Sequence, residues 1–184
     1  MTTTKNNTSY VALLRGINVG GNKKVDMKLL KEVFEKLGYT NVRTYINSGN
    51  VLFDALSKPG EKEVAAIEKA IEKKFGFIVP TIVRSKADIA ALLKKIPAKW
   101  TNDTEQKTDV LFLWDSHDSK KTLALIKTTP GVDTLLYAKG TITWHVDREH
   151  YAKSGMHKFI GTAVYKAITA RNTNTVRKLA ELLG

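Results

Sequence analysis

Cysteine is absent from the 184 residues of this sequence. Its absence excludes disulfides, thiolate catalysis and metal sites held by cysteine, and it fits a reducing compartment. Long apolar runs are also missing. None approaches the length of a membrane span, and the opening MTTTKNNTSY lacks the apolar core of a secretory signal. We therefore expect a cytoplasmic protein with no membrane partner, and we expect the polar residues 1–8 to form a frayed tail.

Acidic residues are scarce beside basic ones, 18 against 30, so the formal net charge is +12. The excess lies at the two ends of the chain: residues 5–43 and residues 139–184 each hold eight Lys and Arg against three acids. This distribution favours nucleic acid or a phosphorylated small molecule as the partner, through long-range attraction. A lysine-rich solvated surface is the alternative explanation.

The stretch Tyr10–Val25, YVALLRGINVGGNKKV, organises the first half of the chain. Its apolar run VALL predicts a strand covered on both faces. The patterns that follow predict helix, strand, strand, helix and strand in turn, at 26–37, 42–46, 51–53, 61–75 and 77–83. Pro80 confines the last strand to a sheet edge, because proline cannot donate to a ladder. The β-α-β-β-α-β order is typical of a ferredoxin-like domain.

The second half repeats part of this order. Ser85 and Asp88 predict a capped helix that Pro97 ends, and the polar residues 98–108 predict a linker. Strands are predicted at 109–114, 133–138 and 141–146, and helices at 119–127, 158–168 and 174–183. The predicted fold class is α+β, with two ferredoxin-like (split β-α-β) subdomains, the second incomplete and followed by C-terminal helices. The predicted domain limits are 1–84, 85–108 and 109–184.

The split β-α-β order places the loop after the first strand and the turn between the second and third strands at one end of the sheet. Backbone amides, side-chain amides and cations in these two segments predict an anion site. Its residues are Arg15, Asn18, Gly20, Gly21, Asn22 and Lys23 from the loop, and Asn47, Ser48, Gly49 and Asn50 from the turn. The alternative is that these glycines and asparagines serve the turns alone.

Arg171 and Asn172 lie in the segment TARNTNTV, before the last predicted helix. They are further candidates for gripping a phosphate or carboxylate, and the alternative is a plainly capped helix with one exposed arginine.

The sequence lacks the motifs of several well-known nucleotide-binding and catalytic sites. RGINVGG is neither a dinucleotide fingerprint nor a P-loop, and the sequence contains no H-E-x-x-H, S-x-x-K or G-x-S-x-G. The cluster His145, Asp147, Glu149, His150 and His157 lacks a metal-ligand spacing. We therefore predict no metal and no cofactor, and we assign no catalytic residue.

A resemblance emerges from these segments. The stretch YVALLRGINVGGNKKVDMKLLKEVFEKLGYTNVRTYINSGNVLF resembles the opening of the bacterial "domain of unknown function 1697" family, and TARNTNTVRKL resembles its closing Arg-Asn motif. The segment around Tyr151, Ser154, Gly155 and Lys158 resembles a Ser- and Gly-containing stretch that precedes that motif. The resemblance implies a two-part α/β protein with ferredoxin-like units and no assigned biochemical role.

Three hypotheses follow from the sequence. The first is a binding protein whose basic loop end contacts nucleic acid or another polyphosphate. The second is an enzyme acting on a small phosphorylated or carboxylated metabolite, in which Arg15 and Arg171 clamp the anion while Asn47, Ser48 or His145 polarises the reacting group. The third is an interaction module that uses an open sheet face.

Overall fold

A computed structural model describes residues 7–184, which form two four-stranded antiparallel sheets with helices between the strands. The predicted α+β class with ferredoxin-like units is therefore confirmed. Of the predicted tail, residues 1–6 lie outside the described residues, and the first strand begins at Thr8. Among the helices of the described part of the chain, none is both long and apolar enough to cross a membrane.

The first sheet has the strand order β2-β3-β1-β4, with every neighbouring pair antiparallel. The central position of β1 explains why its VALL run is buried on both faces. The elements are β1 (Thr8–Leu14), α1 (Met27–Lys36), β2 (Thr40–Tyr45), β3 (Asn50–Ala55), α2 (Glu61–Phe75) and β4 (Thr81–Ser85).

Local signals in the sequence explain where these helices begin and end. The Asp26 carboxylate accepts the amides of Lys28 and Leu29 and so caps α1. Gly76 ends α2 with φ at 84°, in the left-handed region that favours glycine. The apolar faces of both helices pack on one core with β1 and β3, and Phe34 and Phe53 lie at the centre of this core.

The edge position of β4 is confirmed, but its predicted span of 77–83 is wrong by several residues. β4 is Thr81–Ser85, so Pro80 precedes the strand. The Pro80 carbonyl accepts the Arg15 amide at 2.9 Å. Because Pro80 has no amide hydrogen, the ladder begins one residue later.

The second sheet has the order β6-β7-β5-β8, which is the order of the first sheet repeated. Its four strands correct the expectation that the second subdomain is incomplete. The elements of this half are α3 (Lys86–Leu93), β5 (Gln106–Leu113), β6 (Thr134–Ala138), β7 (Thr141–Asp147), α4 (Ala163–Lys166), β8 (Ile168–Asn172) and α5 (Thr173–Leu183). The reciprocal hydrogen bonds between Ser85 and Asp88 confirm the predicted capping box of α3.

Two predicted helices of this half are wrong. The segment 119–127 holds a 3₁₀ helix, Lys120–Leu125. The segment 158–168 holds the end of a second 3₁₀ helix, Gly155–Lys158, then the four-residue α4 and the start of β8. A further 3₁₀ helix covers Arg148–Lys153. The strand β8 was missed because its buried side chains include Thr169 and Arg171, so the alternation of apolar residues is absent.

The two sheets share hydrogen bonds as well as strand order. Leu14 donates its amide to the Gly49 carbonyl, and Leu113 donates to Gly140 in the same way, both at 2.9 Å. The residue that follows each of these strands donates its amide to the carbonyl of the residue just before the fourth strand of its sheet. These pairs are Arg15 with Pro80 in the first sheet and Trp114 with Ala167 in the second. The duplication is therefore architectural, extending to individual loop contacts.

The chain divides into two compact units. The first unit runs up to Asp88 and includes Leu179–Gly184, and the second unit is Ile89–Lys178. The domain limits drawn from the sequence, at 84 and 108, stay a prediction.

Candidate anion-binding site

Three connections meet at one end of the first sheet. The pairing places Leu13, Tyr45 and Asn50 in one row across β1, β2 and β3, and it pairs Leu14 with Thr81 on β4. The segments that leave the sheet there are 15–25, 46–49 and 76–80, and we call them together the loop end. The structure thus brings the two segments predicted from the sequence together, and it adds a third, 76–80.

Asn18 ties two of these segments together. Its side-chain Oδ1 accepts the Val25 amide at 2.8 Å, and its Nδ2 donates to the Val25 carbonyl at 3.0 Å. The same Nδ2 donates to the Asn47 carbonyl at 2.9 Å. Asn18 has a positive φ of 54°, a conformation that asparagine tolerates better than most residues. The Asn18 side-chain amide therefore holds the loop end in shape, and these three hydrogen bonds all join it to backbone atoms.

Gly20 and Gly21 form the tip of a two-residue turn. Val19 and Asn22 pair in an isolated antiparallel bridge, and the Asn22 amide donates to the Val19 carbonyl at 3.1 Å. The two glycines have φ of 59° and 79°, the positive pair that a type I′ turn requires. Both glycines are exposed, so they serve the turn and also present a side-chain-free backbone to solvent.

Lys23 leans toward the third segment. Its Nζ donates to the Ile78 carbonyl at 3.1 Å and lies 5.8 Å from the centroid of the Phe77 ring. Arg15 is half-buried where β1 ends. The Lys23 side chain therefore contacts the segment that precedes β4, and Arg15 is joined to the same segment through its backbone amide.

An open cleft of about 570 Å³ lies between the β1–α1 loop, the start of α1 and the β2–β3 turn. Three predicted residues line it: Asn18, Gly21 and Asn47. Two cations that were not among the predicted residues, Lys24 and Lys28, line it as well. In the sequence, Lys24 and Lys28 are recognisable as two lysines, four positions apart, that flank the cap residue Asp26.

The amino terminus of α1 is already satisfied by its own cap. The Asp26 Oδ1 accepts Lys28 N at 2.8 Å and Leu29 N at 3.0 Å. The amides that would otherwise attract an anion are thus occupied, and the Asp26 charge offsets the helix dipole. An anion in this cleft would depend on the ammonium groups of Lys24 and Lys28 rather than on the helix terminus.

The β2–β3 turn is held tightly from inside. Asn50 is fully buried, and its Nδ2 donates to the Tyr45 carbonyl at 2.9 Å and to Ser48 Oγ at 3.0 Å. Gly49 has φ of 80°, and a Cβ there would lie 2.8 Å from Ile17 Cδ1 and from Leu14 Cβ. Ser48, Gly49 and Asn50 therefore fix the turn, whereas Asn47 is exposed beside the cleft.

Arg171 and Asn172 lie on β8 in the second unit. The Arg171 side chain donates from Nη1 to the Ala170 carbonyl at 2.7 Å and to Thr169 Oγ1 at 3.1 Å. Arg171 is 7% exposed, and burial lowers its pKa to about 10. Asn172 accepts the Thr175 amide through Oδ1 at 2.8 Å and so caps the start of α5. A role for either residue in binding an anion stays a prediction.

His145 is packed against an aromatic ring in the second unit. Its ring stacks on Trp100 with 4.5 Å between centroids and 3° between planes, and Thr108 Oγ1 lies 2.8 Å from Nδ1. Desolvation lowers the pKa of His145, with a smaller lowering from Lys99, and Asp147 opposes both. Across residues 7–184 no three His, Cys, Asp or Glu side chains form a group suited to a metal ion.

Comparisons with known proteins identify the family of this chain. Among solved structures, the chain is similar to a conserved bacterial protein from Streptococcus pneumoniae, with 32% sequence identity and a TM-score of 0.84. The similarity covers 97% of this chain and 100% of that chain. Among curated proteins, none matches the chain. The family model described as "protein of unknown function (DUF1697)" matches residues 7–144, and the chain therefore belongs to that family.

Proposed function

We propose that the loop end of the first sheet binds an anionic ligand, with nucleic acid or another polyphosphate as the ligand class. The observation that carries the proposal is the cleft itself. Two lysines line it, and the one carboxylate among its described lining residues, Asp26, is engaged in capping α1. Its local charge is therefore positive, and the cap leaves the lysine ammonium groups as its charged donors toward a ligand.

The charge distribution supports the same ligand class. The net charge is +12, and residues 5–43, which contain the β1–α1 loop, hold five more cations than acids. Long-range attraction would raise the local concentration of a polyanion at this end of the sheet. The cleft is open and adjoins the exposed Gly20–Gly21 turn, so a chain of phosphates can pass across it without an entry channel.

Several residues of the enzymatic alternative are buried or engaged in local hydrogen bonds. The enzymatic hypothesis uses Arg15 and Arg171 as clamps and Asn47, Ser48 or His145 to polarise a substrate. Arg171 is buried, Ser48 Oγ accepts from Asn50, and Thr108 lies against His145 Nδ1. No specific observation favours a reaction, and the enzymatic alternative stays a prediction from the sequence.

The test measures binding of a fluorescein-labelled single-stranded oligonucleotide by anisotropy at a series of salt concentrations. The probe variant is Lys24→Gln with Lys28→Gln. The matched control is Lys62→Gln with Lys69→Gln, which removes two exposed lysines of α2, outside the cleft, and leaves the same net charge. Each lysine that neutralises a phosphate contributes about 0.7 to the slope of log K against log salt for single strands.

We expect the wild type to bind at low salt and to lose affinity as salt rises. The probe variant should lower the slope by about 1.4, because two phosphate contacts are lost, and the control should leave it nearly unchanged. Equal effects of the two variants would assign binding to overall charge and contradict a site at the cleft. An absence of binding at low salt would contradict the proposal for nucleic acid.

A further inference from the structure

The second sheet carries a cleft of its own. In the first unit, α1 with 10 residues and α2 with 15 residues pack on one sheet face. In the second unit, the corresponding connections hold 3₁₀ helices of three to six residues and the four-residue α4. These shorter segments leave a cleft of about 240 Å³ over β5, β7 and β8.

Aromatic rings line this cleft. Trp144 of β7 is fully buried at its floor, and Phe159 and Tyr165 continue the floor. The ring centroids of Trp144 and Phe159 lie 5.3 Å apart, and those of Phe159 and Tyr165 lie 5.6 Å apart, both edge to face. Tyr151 and His157 form a wall, with their ring centroids 4.4 Å apart. A flat ligand would meet ring surfaces on more than one side.

One ion pair lies among these rings. Lys107 and Asp109 share a face of β5, and Lys107 Nζ lies 2.8 Å from Asp109 Oδ2. Their side chains are 23% and 19% exposed, so both charges are largely withdrawn from water. Lys107 Nζ also lies 5.7 Å from the centroid of the Tyr151 ring. The pair presents a hydrogen-bond donor and an acceptor side by side at the edge of an apolar cleft.

We propose that this cleft binds a planar heteroaromatic ring with adjacent hydrogen-bond donors and acceptors, of the nucleobase class. The accessible rings of Tyr151, His157 and Tyr165 supply the stacking surfaces, Asp109 accepts from a ring amine or imine, and Lys107 donates to a ring nitrogen or carbonyl. The volume is below the roughly 300–1,000 Å³ of pockets for drug-sized ligands, which fits one base rather than a dinucleotide. This site is in the second unit and does not depend on the proposed anion site.

The same base chemistry can come from a free nucleoside or from an unpaired base of a single strand. The experiment therefore titrates the full chain with adenosine, guanosine, cytidine and uridine in one arm and with short single-stranded oligonucleotides in the other. Heat of binding and the nuclear magnetic resonance signal of the Trp144 indole N–H are followed. Ribose and indole serve as ligand controls, because ribose lacks the ring and indole lacks the adjacent acceptor.

Ala170→Leu is the blocking variant. Ala170 lines the cleft from β8 and is exposed, so a larger side chain should fill the cleft without crowding the core. Ala152→Leu is the matched control, since Ala152 is exposed and is not among the residues that line the cleft. Circular dichroism of both variants verifies folding, and the Trp144 signal in the wild type locates binding independently of any variant.

We expect at least one base to bind at least tenfold more tightly than indole or ribose, and to shift the Trp144 signal. Ala170→Leu should weaken that binding about five- to hundredfold, the range for loss of base stacking, while Ala152→Leu leaves it unchanged. Binding in the nucleoside arm assigns a free ligand, and binding in the oligonucleotide arm alone assigns a strand. Either result supports the base pocket.

Three results would overturn the base pocket: no saturable binding in either arm, binding that Ala170→Leu leaves intact, or indole binding as tightly as the bases. The outcome is separable from that of the anion site. Lys24→Gln with Lys28→Gln should not change nucleoside affinity, and Ala170→Leu should not change the salt slope.

Discussion

Gly49 shows at the scale of a single residue how the loop end is held in place. Its positive φ disfavours any side chain, and the space where a Cβ would project is filled by Leu14 and Ile17. The Gly49 carbonyl also receives the Leu14 amide. Gly49 therefore ties the β2–β3 turn to the end of β1, and so holds the turn in place beside the cleft.

We expect Gly49→Ala to destabilise the protein by about 2–5 kcal/mol, because the strain of a left-handed alanine and the overpacking add together. Urea denaturation measures the loss. Gly20→Ala is the matched control, since Gly20 also has a positive φ but nothing lies within 4 Å of an added Cβ. Its cost should be about 1–2 kcal/mol. Equal losses in the two variants would contradict the close packing assigned to Gly49.

His145 gives a prediction about pH. Burial beside Trp100 favours the neutral ring, so the pKa in the folded protein lies below its ordinary value of 6.5. The unfolded chain therefore binds the proton more readily. The contribution of His145 to stability is complete above pH 6.5 and is lost as the pH falls through its folded pKa. Thermal unfolding between pH 8 and pH 5 should show the decline.

The variant His145→Gln should flatten the decline in this pH range, because the group that takes up the proton on unfolding is gone. Nuclear magnetic resonance titration of the wild-type ring gives a direct measurement, with an expected midpoint below pH 6.5. A midpoint above 6.5, or an unchanged slope in His145→Gln, would contradict the assigned effect of burial.

At the scale of elements, the Asp133 carboxylate holds segments of the second unit together through four hydrogen bonds. Its Oδ1 accepts Trp144 Nε1 at 2.9 Å and also the Ser154 hydroxyl. Its Oδ2 accepts the amides of Thr129 at 2.7 Å and Gly155 at 2.8 Å. One carboxylate thus joins β7 to the β5–β6 connection and to the β7–β8 connection.

We expect Asp133→Asn to destabilise the protein by about 2–4 kcal/mol, because its amide NH₂ would face two donors where the carboxylate accepts them. Thermal unfolding measures this loss. Asp115→Asn, at an exposed carboxylate in the same unit, is the control and should change stability by less than about 0.5 kcal/mol. A loss no larger than that of the control would show that Asp133 does not hold these segments.

The pH dependence of the same group has a defined sign. Burial raises the pKa of Asp133, but the hydrogen bonds from Ser154, Thr129, Gly155 and Trp144 outweigh it and leave the pKa lowered. Its stabilising contribution is therefore present above about pH 4 and is lost as the pH falls through the folded pKa. The wild type should lose stability more steeply than Asp133→Asn in this acid range.

Elements with regular patterns and local caps could be predicted from the sequence. α1 has Asp26 at its start and apolar residues at helical spacing, and α2 ends at Gly76 as its left-handed cap requires. The segment 120–125, KKTLAL, favours an α-helix by propensity, but it forms a 3₁₀ helix. β8 was not predictable by alternation, because Arg171 is buried there and Ala170 is exposed.

At the scale of the whole molecule, the sequence predicted where the candidate site lies better than it predicted which residues line the cleft. Strand order alone brings the β1–α1 loop and the β2–β3 turn together, and the structure has that order. The path of the loop depends on three hydrogen bonds of the Asn18 side chain, which no local pattern encodes. That path places Lys24 and Lys28 at the cleft and turns Lys23 toward Ile78.

The measurement that tests the central claim most directly is a backbone amide titration by nuclear magnetic resonance. The full chain, at low salt, receives a single-stranded oligonucleotide, and amide shifts are followed residue by residue. We predict saturable shifts concentrated at Gly20, Gly21, Lys28 and Asn47, which reverse when salt is added. Shifts that spare these residues, or that persist unchanged at high salt, would contradict an anion site at the loop end.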